Sequence, residues 1–93
     1  MHPAALELLA ERRIAVLGSD GNNDAAPSAA EDVDFLVHVL AVNAMALHLL
    51  DWLQGDDLVA VCEELNRWSF LCVAAPLRLR AATGSPVNPI AIF

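Results

Sequence analysis

The chain has no lysine: its five basic residues are arginines, set against twelve acids, and the formal net charge is -7. A surface of that sign repels phosphate backbones and anionic headgroups, which argues against nucleic acid and membrane surfaces as partners. A long hydrophobic run is also missing. The apolar stretch from Phe35 to Leu50 is interrupted by His38, Asn43 and His48, whereas a bilayer-spanning helix needs roughly 18 or more apolar residues. No secretory leader is expected, because Glu7 and Glu11 stand where its apolar segment belongs. Paired cysteine motifs are absent as well. Cys62 and Cys72 are ten positions apart, far from CxxC spacing, and both sit in apolar company. Buried free thiols and a cytoplasmic setting follow as expectations.

What is present in quantity is apolar side chain. Hydrophobic residues make up 57% of 93 residues, and the mean hydropathy is +0.49. A chain this short makes one domain at most and buries a smaller share of its surface than a larger one does. It carries more apolar surface than a small globule hides easily. The physical outlet is covering protein, either another copy or a missing part of the same fold. A homo-oligomer or a fragment is therefore expected.

Along the chain, Pro3 suits a first helical turn and Ala4 to Ala10 are good helix formers, with Arg12 and Arg13 at the end that favours cations. Ile14 to Leu17 form an uninterrupted apolar run stopped by Gly18, the pattern of a short buried strand. The segment from Gly18 through Pro27 and Ser28 is dense in turn formers and reads as loop. The stretch that follows, taken alone, supports one long helix ending before Gly55, capped by Ser28 or Asp32. A further helix is expected from Asp56 or Asp57, with Leu58, Val61, Cys62 and Leu65 on one face. Strand signals come next in SFLCVAAPLRLR, where LRLR alternates, and in NPIAIF. The expected class is α/β, with short strands and two or three helices.

Three segments together resemble the cyclase family of metal-dependent hydrolases, which includes kynurenine formamidases and isatin hydrolases. They are HPAALELLAERRIAVLGSD, VHVLAVNAMALHLLDWL and PLRLRAATGSPVNPIAIF, in that order over nearly the whole chain. The last is the most specific, with its Ala-Thr-Gly-Ser-Pro-Val loop. The resemblance implies the C-terminal part of a swivelling β/β/α fold, with residues 1–93 forming one partial cyclase-like domain. It also implies a divalent metal, zinc or manganese, and hydrolysis of a small amide, lactam or ester. Full-length members carry an upstream His-x-Gly-Thr-His-x-Asp motif that supplies most metal ligands, and nothing here matches it.

Through the resemblance, His38 and Asp51 are the candidate metal ligands, and Gly18, Ser19 and Asp20 form a turn near the substrate end. Imidazole and carboxylate suit zinc or manganese, although a catalytic zinc normally takes three protein ligands and a water. On one regular helix, thirteen steps of about 100° would place His38 and Asp51 on well-separated faces. They converge only if the helix ends between them. The family has a glycine for that break where this chain has Ala46, and often an asparagine where it has Trp52. From the residues alone, His38 reads first as a histidine paired with Asp34 at i,i+4, and Asp51 as a surface carboxylate near His48 at i,i+3. Thr83 to Pro86 read as a tight turn, and Ser85 lacks the strand-turn-helix setting and base of a serine nucleophile. Three functional classes stay open at this stage: a piece of a hydrolase, a non-catalytic self-associating module, and a small hydrolase with a site assembled between subunits.

Overall fold

The computed structural model describes residues 1–93 and shows a mixed α/β chain of three helical segments and two small sheets. It divides into two compact units, Met1–Gly55 and Asp56–Phe93.

The first unit is a helix followed by a β-α-β turn of chain. Helix α1 spans Ala5–Glu11. Arg13 ends it in the left-handed region (φ 52°), with its N–H donating to the Ala10 carbonyl and that of Ile14 to Leu9. This is the two-bond C-terminal motif that glycine usually serves. Strand β1 (Val16–Gly18) pairs in parallel with β2 (His48–Leu50), in register Val16↔His48, Leu17↔Leu49 and Gly18↔Leu50. Between the strands lie a short α2 (Leu36–His38) and a π-helical turn over Val39–Ala44. Leu6, Val37, Ala41 and Leu47 form the core, with Leu9, Leu17 and Met45 against it. Val37, Ala41 and Leu47 are at most 1% exposed, so α1 and the π turn are held by a few sealed contacts.

The long helix expected from the apolar run does not form. The chain turns at Ala46, which adopts φ 52°, and the Leu47 N–H donates across the turn to the Ala41 carbonyl. Residues 48–50 then become a strand because β1 offers parallel partners at that place. Pairing beyond the local segment overrides its helical periodicity. The element order therefore gains a strand over the expected helix, strand, helix, helix, strand, strand.

The second unit contains α3 (Asp56–Glu64) and an antiparallel pair, β3 (Leu71–Val73) with β4 (Ile90–Ile92). Asp56 and Asp57 occupy the first turn of α3, where carboxylates complement the helix dipole. Asn66 stops the helix at φ 47°, with the same pair of bonds seen after α1: Asn66 to the Glu63 carbonyl and Arg67 to Cys62. The Phe70 and Phe93 rings pack at 5.3 Å and the Arg67 guanidinium lies 6.0 Å from the Phe93 ring centre. LRLR is not a strand. No neighbouring strand pairs with it, and Leu79 instead donates to the Leu77 carbonyl. Both cysteines are free, but only Cys62 is buried; Cys72 is exposed, because β3 has its only strand neighbour in β4 and nothing packs over it. Val61 and Leu65, expected on the packed face of α3, are exposed too.

Across the chain, eighteen large hydrophobics are exposed and five hydrophobic residues are buried. The cross-strand partners Leu71 and Ile92, and Val73 and Ile90, share one face of the second sheet, and all four are exposed. A two-stranded sheet with an uncovered apolar face is only marginally stable by itself.

Candidate functional site

Parallel strands bring their carboxyl ends together, and in open α/β sheets that end is where ligands bind. Here the loop after β1 and the turn after β2 run side by side. Ser19 donates to the Leu50 carbonyl, Leu53 to Ser19 and Trp52 to Gly21, at 3.0, 2.8 and 3.2 Å. Gly18 allows the close approach: a Cβ there would come within 2.7 Å of Leu53 Cδ1. Trp52 makes the turn in the left-handed region (φ 59°) and is itself 72% exposed.

Asp51 emerges between those elements, and His38 faces it from the end of α2. The imidazole Nε2 lies 2.8 Å from Asp51 Oδ2, so the two residues singled out in the sequence do meet. The break at Ala46 makes this possible. His38 does not pair with Asp34, and Asp51 does not pair with His48; each finds its partner through the tertiary fold.

Two further residues complete the constellation, and both lie in the loop read only as turn. Asp24 Oδ2 takes the other imidazole nitrogen, Nδ1, while its Oδ1 accepts the Val37 N–H at 2.6 Å. Asn23 donates to Asp51 Oδ1 through both its backbone N–H and its side-chain amide, at 3.2 and 2.6 Å. Asn23 is 4% exposed overall and the Asp24 side chain 8%, against 32% for His38. The loop is itself tied down: Asp24 N–H donates to Asn22 Oδ1, and the Met1 ammonium donates to the Asn23 carbonyl at 2.7 Å. No local periodicity marks these two residues, because their partners lie 14 and 28 positions away. The density of Asn and Asp in GSDGNND was the available signal.

Burial by itself lowers the pKa of His38. The hydrogen bonds to Asp24 and Asp51, and the charges on both carboxylates, outweigh that and raise it above the ordinary histidine value. The arrangement is an imidazole ring held between two carboxylates, which favour its protonated form. As a metal-binding set it is partial. His38 Nε2 and Asp51 Oδ2 are two suitable donors facing each other, Asp24 lies on the far ring nitrogen, and no group of three or more His, Cys, Asp or Glu is disposed to hold a metal ion. A catalytic zinc would need another protein ligand.

Gly18, Ser19 and Asp20 open this same loop, and the Ser19 hydroxyl is spent on the Gly21 carbonyl at 2.8 Å. Ser85 belongs to the second unit, where its hydroxyl accepts the Leu77 N–H and donates to the Pro86 carbonyl. It works as a turn brace. No helix is long and apolar enough to cross a membrane.

No family model, curated protein or solved structure matches the chain.

Proposed function

We propose that this chain is the C-terminal module of a cyclase-type, metal-dependent hydrolase acting on a small amide, lactam or ester. On this reading the β-α-β unit belongs to the closing portion of a swivelling β/β/α fold. His38 and Asp51 are its contribution to a zinc or manganese centre. The remaining ligands and the cover for the apolar faces come from the N-terminal portion of the fold or from another copy, in the cytoplasm. The observation that carries the proposal is the meeting of His38 and Asp51 at 2.8 Å across a backbone break at Ala46. Two residue types that suit such a metal are brought from positions 38 and 51 to one place, at the carboxyl end of a parallel pair. The left-handed conformations of Ala46 and Trp52 add support, since the family resemblance places glycine and asparagine at those positions.

When bound, the metal supplies a water of lowered pKa for attack on the carbonyl. The chain's own part is to hold the His38 nitrogen and the Asp51 oxygen on one side of that centre and to fix their orientation through buried neighbours.

A second reading has its own support. Both His38 nitrogens are engaged by carboxylates, and apolar surface is left open on both units. A non-catalytic, self-associating module would look the same. Metal analysis separates the two. Purified chain titrated with Zn²⁺ and Mn²⁺ is expected to bind one of them, and His38→Ala and Asp51→Ala are expected to abolish binding. Equal, near-zero metal in all three proteins rejects His38 and Asp51 as a metal site of this chain, and hydrolysis of N-formyl amides and p-nitrophenyl esters no faster than in buffer rejects a site assembled between its copies.

A further inference from the structure

We propose that the open face of the second sheet is a dimerisation surface whose partner is a second copy of this chain. The inference uses none of the His38 and Asp51 geometry; of the two covers named above for the apolar faces, it selects another copy. The surface to be covered is concentrated in Asp56–Phe93. That unit holds ten of the eighteen exposed large hydrophobics but only one of the five buried hydrophobic residues, Cys62. Folded units below about 40 residues usually rely on disulfides, metals or oligomerisation, and both cysteines here are free. The chain exposes 7384 Å². Two folded globules with the sizes of its two units, counted separately, would expose about 6300 Å². The surplus of about 1100 Å² exceeds the roughly 800 Å² that each partner covers in a standard-sized interface.

Charge decides which surface can meet its own copy. Met1–Gly55 carries eight acids against two arginines, a net -6, whereas Asp56–Phe93 carries four acids against three arginines, a net -1. Two copies repel through their first units and are nearly indifferent through their second. From Trp68 to Leu77 and from Ala81 to Phe93 there is no charged side chain. Strands β3 and β4 therefore lack the charges that ordinarily keep exposed strands from associating. A twofold contact also needs a patch that fits itself. Leu71 stands opposite Ile92 at one end of this face and Val73 opposite Ile90 at the other, so the patch is aliphatic throughout and keeps its outline after a half-turn. Stacking two such faces makes a small sandwich and covers all four side chains on both copies.

The test uses the full chain in metal-chelated buffer, so its outcome is separate from that of the metal titration. Sedimentation equilibrium of the wild type is expected to show a dimer. Ile90→Lys and Ile90→Glu each bring two like charges into the shared patch and should each weaken the dimer by about 100-fold or more. Mixing the two variants should restore it as a heterodimer, which also shows that both still fold. Val42→Lys, an equally open position in the first unit, should leave the dimer intact. Cys72 alternates with Leu71 and Val73, so it lies on the opposite face, and it is exposed. Its thiol should react with Ellman's reagent as fast in the wild-type dimer as in the Ile90→Lys monomer. A wild type that stays monomeric at every concentration leaves the face to a chain of another sequence and overturns the inference. So do a dimer indifferent to both Ile90 variants, a mixture of them that stays monomeric, a dimer lost in Val42→Lys, and a Cys72 thiol protected by dimerisation.

Discussion

Ala46 offers a substitution whose sign can be worked out beforehand. It is exposed, lies between the π turn and β2, and holds φ at 52°. For an L-residue with a Cβ, the left-handed region costs about 1–2 kcal/mol. Glycine removes that cost but brings about 0.5–1 kcal/mol of extra backbone entropy to be lost on folding. Ala46→Gly should therefore stabilise the chain by about 0.5–1 kcal/mol. For a domain of this size that corresponds to a rise in Tm of about 2–8 °C, taken from the usual entropy of unfolding. The control is the same chemical change at Ala10, exposed within α1, where the backbone is helical. There glycine should cost about 1 kcal/mol. Thermal melts followed by circular dichroism at fixed protein concentration read both. Opposite signs support the turn at residue 46. A loss of stability in Ala46→Gly as large as that in Ala10→Gly would mean that the helix runs on through residue 46, and His38 and Asp51 could not meet.

Two other outcomes follow from the same geometry. The raised pKa of His38 means that the folded state holds that proton more tightly than the unfolded chain, for which the reference is 6.5. Its contribution to stability is fully present below that reference and is lost as pH rises through the folded pKa. In metal-chelated buffer the urea midpoint of the wild type should fall across that window relative to His38→Gln, and parallel profiles would refute the double carboxylate grip. The uncovered sheet face should drive association: sedimentation at increasing concentration is expected to show dimers or larger species, with Leu71→Lys and Ile92→Lys shifting the distribution toward monomer. A wild type that stays monomeric throughout contradicts the reading of that face.

Much of the architecture could be read from local sequence, and the exceptions share one cause. Helices α1 and α3 announce themselves through helix formers and charges placed to suit the dipole, and β1 and β4 through short apolar runs. The stretch from Phe35 to Leu50 does not, because its break is made by an alanine and a strand partner thirty-two positions upstream. An alanine carries no mark of the left-handed region, whereas Asn66, which ends α3, does. The same limit applied to the site. His38 and Asp51 were nameable by residue type and resemblance, but Asn23 and Asp24 sit among seven turn-forming residues and gain meaning only when the loop folds over α2. In the second unit, alternation in LRLR suggested a strand that lacked anything to pair with.

The in-step pairing of Gly18 with Leu50 has a bearing on how this chain tolerates change. Side chains alternate between the two sides of a ribbon, so sliding β2 by a single residue along β1 would swing Asp51 away and bring Trp52 round in its place. An indole cannot accept the two amide hydrogens that Asn23 extends. Insertions or deletions between residues 47 and 51 should accordingly be far more damaging than ones in the stretch from Ala29 to Asp34, where extra length can loop outward without disturbing the alignment.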